Sequence, residues 1–224
     1  MNPCQMDIAI TAELPPEQGM AIAHSHAVLR PMMAAWFALD RKLGQLVAKT
    51  SEPMLGQMRL AWWREALGRA VAERPSGDVT LDAVSMHWAG AEAPLLKLVE
   101  AWEELLVADR LTGEFAARFC LGRAEPARHL AEKYGADVGE RVHAAGVRWA
   151  AADAAAHVSD DSERQALIAA GIGRANAAGR IPRDLRGFAV LEALAVRSMK
   201  RGGRPLMEGR GAALVALRVG LLGR

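Results

Sequence analysis

An all-α fold is the prediction for this chain, and three observations carry it. Alanine and leucine dominate a sequence that is 51% hydrophobic, and both favour helix. β-branched alternation is scarce and there is one tyrosine, which leaves little material for strands. Apolar residues recur at helical spacing instead, in blocks opened by prolines such as Pro31, Pro53 and Pro94 that suit a first turn. The 224 residues are read as a single domain, 1–224, long enough for a substantial core.

Residues 1–16 read as an irregular lead-in ending at Pro15-Pro16, followed by a short helix from Glu17 to His24. His24-Ser25-His26 is not a metal pair, because alternate residues diverge on a helix and no Cys, His or acid spacing completes a site. Pro31 opens a helix to about Lys49, with Trp36, Phe37, Leu39, Leu43, Leu46 and Val47 as its apolar surface.

The next helix, Glu52 to about Glu73, is the anchor of the reading. Ser51 caps it, Glu52 suits its positive end and Pro53 its first turn. At about 100° per residue Leu55, Met58, Trp62, Ala66 and Ala70 share a side, widened by Trp63 and Leu67. Arg59 lies near the middle of that arc, and a guanidinium facing a core needs an acid. Glu103 is the preferred partner and Asp40 the second; Glu103 snorkelling to solvent is the alternative.

Arg74 to Asp78 is a turn, followed by a weaker helix from Leu81 to Trp88. Pro94 starts a strong helix with Leu95, Leu98, Val99, Trp102, Leu105 and Leu106 on its buried stripe and Glu103 at its flank. Thr112–Leu121 and Glu125–Tyr134 read as two short helices. A longer one runs from about Val138 to Val158, with Val142, Ala145, Gly146, Trp149 and Ala156 on one face. Asp153 shares that face and His157 is close to it; the small residues admit a neighbouring helix or leave room for a ligand. Ser159-Asp160 is a break with a new cap, and the segment to Ala170 is helical. The glycines of Gly171–Gly179 are not a dinucleotide loop: the third glycine is misplaced and no strand precedes them. Leu185–Met199 and Gly211–Leu222 are the last helices.

Charge is unevenly divided. From Ile172 onward there are 11 Lys/Arg against 3 Asp/Glu, and the remainder carries 17 against 23. A basic C-terminal third suits an acidic protein partner or a membrane surface, or simply a solvated face. Nucleic acid is disfavoured, because the basic residues are not interleaved with stacking aromatics. Two cysteines make no disulfide framework, and no apolar run approaches the roughly 20 residues of a span, so a cytoplasmic protein is expected, at most peripheral to a membrane.

Phe37-Ala38-Leu39-Asp40-Arg41-Lys42-Leu43, followed by Ser51-Glu52-Pro53-Met54-Leu55-Gly56-Gln57-Met58-Arg59-Leu60-Ala61-Trp62-Trp63-Arg64-Glu65-Ala66-Leu67, resembles the squalene/phytoene synthase family. The Arg-Leu-x-Trp-Trp-Arg core is its distinctive part, and it is similar to the divergent branch that includes the mitochondrial respiratory complex I assembly factor of this type. Weaker similarity continues through 95–109, 146–161 and 181–199.

The resemblance implies an isoprenoid-synthase-like helical bundle around a central apolar cavity. In active members two Asp-x-x-x-Asp motifs on facing helices bind magnesium, which holds the prenyl diphosphates and promotes their departure. This chain departs from that pattern: Asp40 is the only acid in Phe37–Lys49, and His157-x-x-x-Asp161 is half a second motif. Little sequence lies between Asp161 and Pro182, so the C-terminal half is shortened.

The expectation is therefore a pseudoenzyme kept for prenyl or lipid binding, or as an assembly factor, with no catalytic, cofactor or metal residue assigned. An active prenyltransferase using magnesium and an acidic set such as Glu100, Glu103, Glu104, Asp109, Asp153 and Asp161 is the alternative, and a plain helical interaction module is the third. The candidate polar cluster at the cavity is Asp40, Arg59, Glu103, Asp153, His157 and Asp161. Trp36, Trp62, Trp63, Trp102 and Trp149 are pocket or core rings, with Trp62 and Trp63 read as core fillers.

Overall fold

The computed structural model describes residues 3–50, 52–108, 110–173 and 179–223, and in them the chain is helical, with no strand. Ser51, Asp109 and residues 174–178 of the glycine-containing segment lie outside the described residues. Eleven α-helices are present among the described residues: α1 Pro3–Ala12, α2 Pro16–Ala23, α3 Arg30–Lys49, α4 Pro53–Gly68, α5 Val79–His87, α6 Ala93–Val107, α7 Gly113–Glu132, α8 Ala136–His157, α9 Asp161–Gly173, α10 Arg186–Lys200 and α11 Gly211–Leu222.

Local signals set most of the helix ends. Prolines occupy the first turn of α2, α3, α4 and α6, where the missing N–H costs nothing. Asp78 caps α5 by accepting from Thr80 N at 2.9 Å and Leu81 N at 3.1 Å. Asp160 does the same for α9, accepting from Ser162 N at 2.8 Å and Glu163 N at 3.0 Å. Gly135, with φ at +114°, lets the chain turn between α7 and α8.

Three expectations are corrected. The lead-in is not irregular: α1 buries Met6 and Ile10, and its Asp7 meets His87 of α5 at 2.9 Å. The two short helices expected over 112–134 are one 20-residue helix, α7, which runs through Gly122 and Pro126. It stays continuous because Gly122 crosses closely over α6, where a Cβ would stand 2.8 Å from that of Ala101. The anchor helix α4 ends at Gly68, and its buried face is Gly56, Leu60, Trp63, Ala66 and Leu67. Leu55, Met58 and Trp62, expected inside, are exposed, Trp62 by 40%. The buried arc is thus turned by roughly a quarter of the helix from the expected one. Gly56 lies on that edge, and a Cβ there would stand 2.7 Å from Leu106, so this edge of α4 passes close to α6.

The core is continuous from Met6 to Val219. At its centre Trp36 and Phe37 of α3 stack at 4.5 Å, Trp149 of α8 stands edge-on to them at 5.6 and 5.4 Å, and Phe188 of α10 lies 6.2 Å from Trp36. Trp36 and Trp149 are therefore core rings, fully buried. This aromatic knot fixes α3 against α8, and Asp40 and Asp153 hang from those two helices.

Candidate functional site

Asp40 on α3 and Asp153 on α8 do come together, and the residue that joins them is Arg123 of α7. Arg123 is 2% exposed. Its Nε donates to Asp40 Oδ1 at 2.9 Å, and its Nη2 donates to Asp40 Oδ2 at 2.6 Å and to Asp153 Oδ2 at 2.8 Å. Nη1 donates to the Ala150 carbonyl at 3.2 Å. The indole of Trp102 on α6 completes the set, donating to Asp40 Oδ1 at 2.9 Å. The guanidinium carbon lies 5.0 Å from the Trp149 ring, 5.1 Å from Trp102 and 5.4 Å from Phe119, a cation–π environment on several sides.

The electrostatics follow from that geometry. Burial alone would lower the pKa of Arg123, but the negative charges of Asp40 and Asp153 override it and hold it raised. Cys120, one turn away on α7, has its thiol pushed up to about 12 by burial, against the opposing charge of Arg123 and with a smaller push from Asp153. On α2, burial raises the Glu17 carboxyl, and Asp153 adds to the effect.

Beside this triad is a cavity of about 440 Å³, within the usual range of roughly 300–1,000 Å³ for small-molecule sites. Val47, Trp102, Leu105, Leu111, Phe119 and Val158 supply apolar wall, while Asp40, Arg123 and Asp153 mark its polar end. Gln18 of α2 also lines it, and its buried Oε1 has no hydrogen-bond partner among the described residues.

The remaining candidates do not join the cluster. Arg59 is exposed, so the buried ion pair expected for it is absent. Glu103 pairs instead with Arg64, at 2.8 Å. The arc that placed Arg59 inside was the wrong edge of α4. His157 lines the cavity mouth but its side chain is 78% exposed, and its Nδ1 lies 2.7 Å from the Asp153 carbonyl oxygen. Asp161 sits on the first turn of α9 with 89% of its side chain exposed, paired to Arg164 rather than to anything in the cavity. The half-motif His157-x-x-x-Asp161 is broken between two helices, because the chain leaves α8 at His157. Trp63 is buried, Trp62 packs edge-on against it at 5.2 Å from outside, and Trp102 is a cavity wall.

Magnesium, which the sequence resemblance implies for active members, does not fit this donor set. Asp40 accepts three hydrogen bonds and Asp153 Oδ2 accepts one, all from fixed cationic or indole donors. A divalent ion needs those same oxygens, and a buried guanidinium already stands against them. Among the described residues no three His, Cys, Asp or Glu side chains group as a metal site.

Arg123 escaped the sequence reading, although a signal was present. Ala116, Phe119, Cys120, Arg123, Ala127 and Leu130 follow helical spacing and are all buried. Splitting α7 at Gly122 put Arg123 in a connector and hid that stripe. Comparison of the chain with protein-family models, with curated proteins and with solved structures returns no match.

Proposed function

We propose that the chain is a binding protein for a neutral isoprenoid-type lipid, built on a squalene/phytoene synthase-like helical scaffold in which an internal ion pair stands where metal chemistry would be. The observation that carries this reading is the Arg123 guanidinium between Asp40 and Asp153 at the edge of an apolar cavity. Carboxylates on facing helices beside such a cavity are what a divalent cation uses. Here exchanging the guanidinium for a metal would mean displacing a side chain held by four hydrogen bonds and flanked by three rings.

The charge sum argues the ligand class. Asp40, Arg41, Arg123 and Asp153 on its lining total zero, Arg41 is exposed, and the one buried cation, Arg123, is already matched by both carboxylates, so the buried end offers a diphosphate no free positive charge. A neutral prenyl alcohol needs none: its chain suits the apolar wall, and its hydroxyl has Gln18 Oε1 as an acceptor.

The test is a titration of the purified protein with farnesol and with farnesyl diphosphate, each with and without magnesium, while diphosphate release is assayed in parallel. Saturable farnesol binding that Ala154→Phe abolishes by filling the cavity, with no magnesium-dependent diphosphate release, is the expected result. Magnesium-dependent release that Asp40→Asn and Asp153→Asn abolish overturns the reading in favour of a prenyltransferase. Absence of saturable binding by either compound overturns it as well.

A further inference from the structure

A second concavity lies on the opposite charge register. The cleft lined by α8, α10 and α11 has a volume of about 650 Å³ and is lined by eight Lys/Arg side chains against one carboxylate, Glu192. That carboxylate is already spent. It accepts from Arg141 at 3.0 and 2.6 Å and also pairs with Arg148, so one carboxylate stands against two guanidinium groups. Arg186 donates to the carbonyls of Gly220 at 3.3 Å and Leu221 at 3.0 Å, fastening the C-terminal end of α11 to the cleft wall. Arg197 and Arg201 each donate to the Glu208 carbonyl at 3.0 Å, and Arg201 is also paired with the Glu208 carboxylate at 3.3 Å. Arg180, Lys200 and Arg218 are exposed and have no hydrogen bond or ion pair among the described residues. A concavity with this much unmatched positive charge selects a phosphate-bearing anion.

The helix beside the cleft says where that phosphate comes from. On α11, Ala212, Ala216, Val219 and Gly220 face the protein, while Leu214, Leu217, Leu221 and Leu222 are each more than half exposed. At about 100° per residue, Leu214, Leu217 and Leu221 cluster opposite the buried face, and Arg218 falls between them and the cleft. A cationic cleft bordered by an outward leucine face is the arrangement of an interfacial helix, and α11 is too short to cross a bilayer.

We infer that this cleft binds the phosphate headgroup of an acidic membrane phospholipid, with the leucine face of α11 set into the bilayer surface. The cleft shares no lining residue with the cavity beside Arg123, so the two sites stand or fall separately.

The experiment is vesicle co-sedimentation of the full chain, using phosphatidylcholine vesicles with and without about one quarter phosphatidylglycerol. The parent protein is expected to bind the acidic vesicles and to lose binding as salt rises. Lys200→Glu with Arg218→Glu, and separately Leu217→Ser with Leu221→Ser, are each expected to weaken binding about tenfold or more. All four positions are exposed, and an unchanged melting curve verifies that the variants fold. The cavity variant Ala154→Phe is expected to bind vesicles like the parent. Equal binding to neutral and acidic vesicles overturns the inference, as does full binding by the leucine variant. Saturable binding of free glycerol 3-phosphate without vesicle binding also overturns it, making the cleft a site for a soluble anion. Tighter binding to a nucleic acid or an acidic polypeptide than to the vesicles overturns it too.

Discussion

Replacing Arg123 by methionine keeps much of the side chain's aliphatic volume and removes its charge. Asp40, with 3% of its side chain exposed, falls from three donors to one, the Trp102 indole. Asp153, more open at 18%, loses its donor but gains access to water. Breaking a buried pair by removing one partner costs about 3–5 kcal/mol, mostly from the charge left behind. Asp40 bears that cost here. In a chain of this size 1 kcal/mol corresponds to about 2–4 °C, so the melting temperature is expected to fall by roughly 6–20 °C. Denaturant and thermal melts followed by circular dichroism measure it. The control is Arg123→Met combined with Asp40→Asn, which keeps an acceptor for Trp102 and removes the orphaned charge. It is expected to recover about 1 kcal/mol or more of the loss. An Arg123→Met protein within about 1 kcal/mol of the parent, or no recovery in the double variant, refutes the reasoning.

Gly187 of α10 crosses α2 so closely that a Cβ would collide with the Ala21 carbonyl and Ser25 Oγ, so Gly187→Ala is expected to cost roughly 2–3 kcal/mol in a denaturant melt. Burial raises the Glu17 carboxyl, so the folded state holds that proton more tightly than the unfolded chain does. The resulting penalty is absent below the unfolded pKa and grows as pH rises toward the folded one. Glu17→Gln is therefore expected to stabilise the protein at about pH 7 and to be neutral near pH 3, whereas a pH-independent difference in melting would contradict the assignment. The Cys120 thiol, buried and pushed up to about 12, is expected to resist alkylation at about pH 8 in a Cys4→Ser protein and to react once denaturant is added. Rapid labelling of the native protein would show that α7 opens.

Helices were legible wherever their signals are local. Pro31, Pro53 and Pro94 opened helices as expected, Asp160 supplied the cap foreseen at the start of α9, and α11 spans Gly211–Leu222 as the pattern indicated. Asp40 and Asp153 were singled out from the sequence, and both stand at the cavity. Errors arose where a helix has more than one apolar edge or an internal breaker. On α4, Met54, Leu55, Met58 and Trp62 make a stripe as good as that of Leu60, Trp63 and Leu67, and nothing within the helix chooses between them. On α7, Gly122 and Pro126 read as punctuation, yet tertiary packing carries the helix through both.

What the sequence determined by itself is the all-helical class, the helix starts marked by prolines and caps, the uneven charge and the shortage of carboxylates around Asp40. These follow from interactions reaching only a turn or two along the chain. Which face of α4 is buried, and which cation answers Asp40, was decided only by the tertiary structure. Arg123 lies 83 residues from Asp40, and their pairing depends on how α3, α7 and α8 cross. The close passage of Gly146 of α8 against Ala124 and Ala127 of α7 and the aromatic knot around Trp36 and Trp149 bring those helices together, and no periodicity within one helix encodes a distance between three.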